Sequence, residues 1–338
     1  MKSNKLFHTV MNAKNIIYII SLMLAAISCS MEDDTLMNDA TKGIENSLNG
    51  EEIALAFSLT NGEVATKATD NTTDQDLNNV TVFLLKNGTV VNAERFATKA
   101  EAEANIFYIK KDDSTWKMIV VANADVSITG LSDAASIHSA TASLADKTKF
   151  GEATLDIAGM TGKEYVADIE LRQSYAKVGL ASFKVQRNGS TGYNNLKVEL
   201  TKVALINQNT KGRIDGSALI PEVNELANPN RTCTDYILLN NDTNPTELLS
   251  NPIFFNTFAY EYKEASNKQS VELTYKVNGI SHTETIQING NDGSVEAGNI
   301  YKLNVTASVS PEGIVTILNV NFEVVNLVER EINPEAFC

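Results

Sequence analysis

The chain has 338 residues, 43% hydrophobic and 21% charged, and its 28 basic against 42 acidic residues give a formal net charge of −14. The length admits two domains of ordinary size, and the acid excess speaks against a nucleic-acid-binding surface. Pro is scarce at 6, while Ser, Thr, Asn, Val and Gly recur in short alternating runs, a composition that fits antiparallel β-structure.

Lys2, Lys5 and Lys14 precede a short apolar run, Ile16 to Ile27, which ends at Ser28-Cys29. A basic start, an apolar segment too short to span a bilayer and a small residue before the cut make a secretory signal over residues 1–28. A Cys at the cleavage position points to a lipoprotein with Cys29 as the lipidated residue, although Ala26 stands where such signals usually carry Leu. An ordinary signal peptide with an incidental Cys is the alternative. Glu32, Asp33 and Asp34 follow at once, a cluster that resembles the surface-export signal of Bacteroidetes lipoproteins. The other two cysteines, Cys233 and Cys338, could pair in a secreted chain, and two unpaired thiols are the equal alternative.

Residues 30–50 are polar and acidic, a tether rather than a domain. In IALAFSLTNGEVATKA, Ile53, Leu55, Phe57 and Leu59 alternate with small residues, which predicts a strand with one buried face. Asn61-Gly62 ends it with turn chemistry. The polar run that follows, with Lys67-Ala68 near its start, has almost nothing to bury and is open to a protease. We read this first strand as temporary: it fills a groove until it is cut away.

Further on, NNVTVFLL (Asn78 to Leu85) predicts a strand, and Asn87-Gly88 before Thr89-Val90-Val91 a hairpin. Residues 97–105 favour a short helix by propensity. Trp116 to Ala124 is nearly all apolar, as in a central strand buried on both faces. Ser132 to Asp146 is Ala- and Ser-rich and predicts helical turns. Strands follow over Val166–Leu171, Lys177–Val185 and Leu196–Leu205. Asn207 to Asn251 has no clear period and is expected to be a surface excursion. Val271, Leu273, Tyr275 and Val277 alternate up to a second hairpin signal, Asn278-Gly279, with Thr283–Ile288 returning. Residues 299–309 and 313–328 close a mostly-β chain with no βαβ alternation, which reads as sandwich architecture, twice over.

Catalytic chemistry is not evident. After the signal only His138 and His282 remain, both read as surface or turn residues. Asp70, Asp74 and Asp76 lack the Gly and terminal Glu of a calcium loop. No phosphate-binding or dinucleotide motif occurs. The expectation is no enzyme, no cofactor and no metal.

Several segments together resemble the Bacteroidales major fimbrial subunit family, the type V pilins. They are the lipoprotein leader, the apolar strand before Lys67-Ala68, MIVVANA (Met118 to Ala124), ELRQSYAKV (Glu170 to Val178) and AGNIYKLNV (Ala297 to Val305). The resemblance spans the chain beyond the signal, although each motif is short. It implies two transthyretin-like Greek-key β-sandwich domains in tandem, over residues 68–165 and 166–338, behind a lipidated leader over 29–67. It also implies an outer-membrane lipoprotein that an Arg- or Lys-specific surface protease cuts, here after Lys67, where oral members of the family are usually cut after Arg. Other copies of the chain, or related pilins, are then the partners, through a C-terminal strand that fills the vacated groove of a surface pilus and so supports adhesion.

Val320, Phe322, Val324 and Val328 form an apolar face that could replace Ile53–Leu59, which makes them the candidate donor strand within residues 313–338. Two other readings stay open. One is an uncut lipid-anchored anchor subunit. The other is a monomeric surface glycan- or ligand-binding lipoprotein, for which Phe254, Phe255, Phe258, Tyr260 and Tyr262 are the dense aromatic group.

Overall fold

The computed structural model describes residues 52–61, 77–160, 162–259, 268–288 and 294–326. The first strands are β1 (Glu52–Asn61), β2 (Asn78–Lys86) and β3 (Thr89–Thr98). A short helix, α1 (Lys99–Ala104), leads to β4 (Phe107–Lys110) and β5 (Trp116–Ala122). A second, α2 (Ala134–Ser139), precedes β6 (Thr141–Ser143), β7 (Lys149–Leu155) and β8 (Glu164–Gln173). One seven-stranded sheet joins most of these in the order β3-β2-β5-β7-β8-β1-β4. The sheet curls on itself: β1, β4 and β8 near one end share a single core with β2 and β5 near the other. The curl follows from strand twist accumulating over so many strands.

The long strands of the second half are β9 (Tyr175–Arg187) and β10 (Leu196–Ile206). The short ones are β11 (Gln208–Asn209), β12 (Lys211–Arg213), β13 (Leu226–Ala227), β14 (Asn230–Thr232), β15 (Tyr236–Leu239) and β16 (Thr246–Glu247). Then come β17 (Ile253–Phe258), β18 (Ser270–Val277), β19 (Ile280–Gln287), β20 (Asn299–Val309) and β21 (Val315–Asn326). Of these, β11 pairs with β13 and β12 with β6, while the other ten build two five-stranded sheets, one ordered β14-β10-β18-β19 with β15 also on β10, the other β16-β9-β20-β21 with β17 also on β9. A common core lies between them, with Leu180, Phe183, Leu200, Leu273, Tyr275 and Leu303 buried in it. The change of sheet falls between Gln173 and Tyr175, because β8, although it runs past residue 165, pairs with β1 and β7 of the first sheet.

A third cluster ties the halves together. Phe83, Leu85, Ile119 and Val121, on the second face of β2 and β5, pack with Ile137 of α2 and with Tyr175, Ile214 and Phe258 of the second half. This explains why VFLL and MIVV carry no alternation: both of their faces are buried.

Both predicted hairpins form as read, with Asn87 (φ 51), Gly88 (φ 81), Asn278 (φ 48) and Gly279 (φ 85) all left-handed. Asn and Gly tolerate that conformation and match the twist of the flanking strands. The 207–251 stretch is not the surface excursion its lack of period implied. Its segments pair with β10, β9 and β6, and Asn209, Ile214 and Leu239 are fully buried. Strands of two to four residues are too short to display a period, so pattern reading cannot see them.

Candidate functional site: the groove filled by the first strand

β1 lies inside the sheet rather than at its edge. On one side Ala54–Asn61 run parallel to Glu164–Leu171 of β8, and on the other Glu52–Leu55 run antiparallel to Phe107–Lys110 of β4. Among the described residues β4 has no other strand partner, so there β1 alone ties it to the sheet. The alternation in the sequence explains the placement. Ile53, Leu55, Phe57 and Leu59 are at most 3% exposed, and their outward neighbours are small. Burying four such side chains stabilises the strand by on the order of 10 kcal/mol before ordering costs.

Among the described residues no strand continues the ladder on the β4 side of β1 beyond Leu55. There α1 takes over: the Leu59 amide donates to Glu103 Oε1 at 2.7 Å. Glu103 also pairs with Lys99 at 3.5 Å. α1 is held by its N-cap, where Thr98 Oγ1 accepts from the Glu101 amide at 3.2 Å, and by buried Ala102. On the outward face Ser58 stands opposite Asp168 of β8 and its hydroxyl donates to that carboxylate.

β21 is held differently. It is the edge strand of its sheet and pairs with β20 from Asn299↔Asn326 to Val309↔Val315. Val320, Phe322 and Val324 stand opposite Val305, Leu303 and Tyr301, all buried, so they share the core-side face. Even so, Val320 is 41% and Val324 49% exposed, because the opposing sheet covers that face only in part. Val315, Ile317 and Phe322 of β21 pack against the core only part-buried, so β21 buries less along its apolar face than β1 does.

The remaining expected site residues are distributed as follows. Cys29, Lys67, Ala68, Val328, Cys338, Tyr260 and Tyr262 lie outside the described residues. Cys233 is buried, with its thiol pKa raised by desolvation and its Sγ 3.7 Å from the Arg231 carbonyl oxygen. Phe255 and Phe258 are buried in two different clusters, so they offer no aromatic platform. His138, read as an ordinary surface residue, is a cross-link: Nδ1 lies 3.0 Å from Asp215 and Nε2 3.1 Å from Glu152. Nor is His282 a plain turn residue, since it stacks on Tyr275 at 5.4 Å. Nothing in the sequence marks Glu103 or Asp168 as a partner of β1. The only trace of Glu103 is its helical i,i+4 spacing from Lys99, which says nothing of β1. Among the described residues no group of three or more His, Cys, Asp or Glu is placed to hold a metal ion.

No family model and no curated protein matches the chain in sequence. Solved structures do share its fold. A fimbrilin from Porphyromonas gingivalis W83 superposes with a TM-score of 0.56 at 13% identity, over 82% of this chain and 98% of that one. A candidate cell adhesion protein from Parabacteroides distasonis ATCC 8503 gives 0.54 at 16% identity, over 82% and 96%. At such identities the likeness is one of fold: a mostly-β, multi-sheet architecture found in fimbrial and adhesion proteins.

Proposed function

We propose that this chain is the structural subunit of a surface pilus, made as an outer-membrane lipoprotein anchored through Cys29 and polymerised by strand exchange. A surface protease of Arg/Lys specificity cuts after Lys67, β1 leaves, and β21 or the residues after it, Val328 among them, enter the groove of another copy or a related pilin. The two halves act as two transthyretin-like sandwich domains in tandem, the second carrying the donor. The role is structural, and adhesion follows from display of the pilus.

The observation that carries this reading is the contrast between the two strands. β1 is buried along its whole apolar face, with β8 beside Ala54–Asn61 and β4 beside Glu52–Leu55, whereas β21 lies at an edge with Val320 and Val324 half-exposed. A strand moving from β21's situation to β1's gains burial and a second ladder, so exchange between copies runs downhill once the groove is vacant. The shared fold with a fimbrilin supports the same reading.

Intact mass and N-terminal sequencing of the protein sheared from cells test it. A chain beginning at Ala68 without lipid is expected. A chain beginning at lipidated Cys29 with β1 retained would overturn it and leave an anchor subunit or a monomeric surface lipoprotein.

A further inference from the structure

The groove is apolar along its floor, yet its distal end carries two carboxylates that address adjacent residues of the strand inside it. Residues 54, 56, 58 and 60 turn their main-chain groups towards β8, as the bond from the Ala54 amide to the Lys163 carbonyl shows, and the odd residues turn theirs towards β4. β4 ends its pairing at Leu55, and at Leu59 the acceptor is the Glu103 carboxylate at 2.7 Å. One residue earlier the Asp168 carboxylate takes the hydroxyl of Ser58.

We infer that Glu103 and Asp168 select the strand that fills this groove and fix its register. Glu103 requires a free main-chain N–H at the place of Leu59, and Asp168 requires a hydrogen-bond donor at the place of Ser58. Both are positioning residues, and their use in assembly rests on the strand-exchange reading. Proline at the first place has no proton to give. An acidic side chain at the second meets a like charge directly opposite, which is destabilising in a ladder.

The occupant is β21 of a second copy, and the rule separates its registers. Running in β1's direction with Phe322 at the place of Phe57, β21 sets Glu323 against Asp168. A two-residue slide puts Phe322 at the place of Leu59, Val320 at that of Phe57 and Asn321 at that of Ser58, where its amide can donate. The second register is the one the groove accepts.

Hydrogen exchange on the full chain tests the clamp. E103A is expected to raise exchange at Leu59 by about tenfold or more, the worth of a hydrogen bond to a charged acceptor. E103Q retains an acceptor oxygen and should keep most of the protection, and the β4-paired end of β1 should not change. Unchanged exchange at Leu59 in E103A would overturn the clamp.

The full chain nicked at Lys67 is then offered labelled peptides of the β1 sequence: unmodified, N-methylated at Leu59, or carrying Ser58→Asp. The altered peptides should be taken up about tenfold less well. A β21 peptide should cross-link in the Asn321-to-Asp168 register. Equal uptake of the Ser58→Asp peptide would sink the role of Asp168. A nicked chain that takes up no peptide would overturn strand exchange itself, while the exchange rates still decide the clamp.

Discussion

Phe57 of β1 lies over Phe107 of β4, with ring centroids 6.2 Å apart and planes 28° from parallel. Each residue is buried in the first core, and among the described residues β4 has no strand other than β1 to hold it. Truncation of Phe57 therefore acts on two strands at once. F57A is expected to cost about 3–5 kcal/mol of stability. V324A, at a position 49% exposed on β21, should cost well under about 1.5 kcal/mol. Urea midpoints of the two variants check the contrast, and equal losses would contradict the unequal hold on the two strands.

His138 joins α2 to Glu152 of β7 on one side and to Asp215, beyond β12, on the other. H138A should destabilise the chain by about 1–2 kcal/mol, and the H138A/D215N double-mutant cycle should show positive coupling. Additive losses would mean the contact with Asp215 carries no energy.

Tyr275 is fully buried, and burial, with the carboxylate of Glu284 beside it, pushes its phenol up to about 12 from 10.0. A raised folded value means that the neutral phenol contributes stability that is full below pH 10 and is lost as pH rises from 10 through about 12. Y275F removes this titration, so its stability should fall less steeply over that window than that of the unaltered chain. Parallel alkaline unfolding curves would rule out Tyr275 as a source of the loss.

Gly179 of β9 stands opposite Phe254 of β17, and a Cβ there would run into the Ile253 carbonyl oxygen and lie 2.7 Å from the Phe254 Cα. Both obstacles are backbone, so nothing can turn aside. G179A should lose about 3 kcal/mol or more, or fail to fold, because β17 must leave the ladder. A thermal midpoint close to that of the unaltered chain would show that β9 and β17 can separate freely.

Local physics is what a sequence displays well. The alternation of Ile53–Leu59 announced a half-buried strand, the unbroken apolar run at Met118–Val121 a strand covered on both faces, and two Asn-Gly pairs the hairpins. The short strands between 208 and 247 were invisible because each is held by its partner and not by its own pattern. The same holds for Glu103 and Asp168, which lie 44 and 110 residues from the strand atoms they engage.

By itself, then, the sequence determined the longer alternating strands such as β1 and β18, their apolar faces and the two Asn-Gly turns, since periodicity and turn conformation act over a few residues. Only the tertiary structure decided that β1 lies between β8 and β4 rather than at an edge, that β21 is the exposed edge, and that two carboxylates meet β1 at Ser58 and Leu59. Those are choices of partner between distant segments. Many apolar strands compete for the same places, and the curl of the whole sheet settles which of them meet.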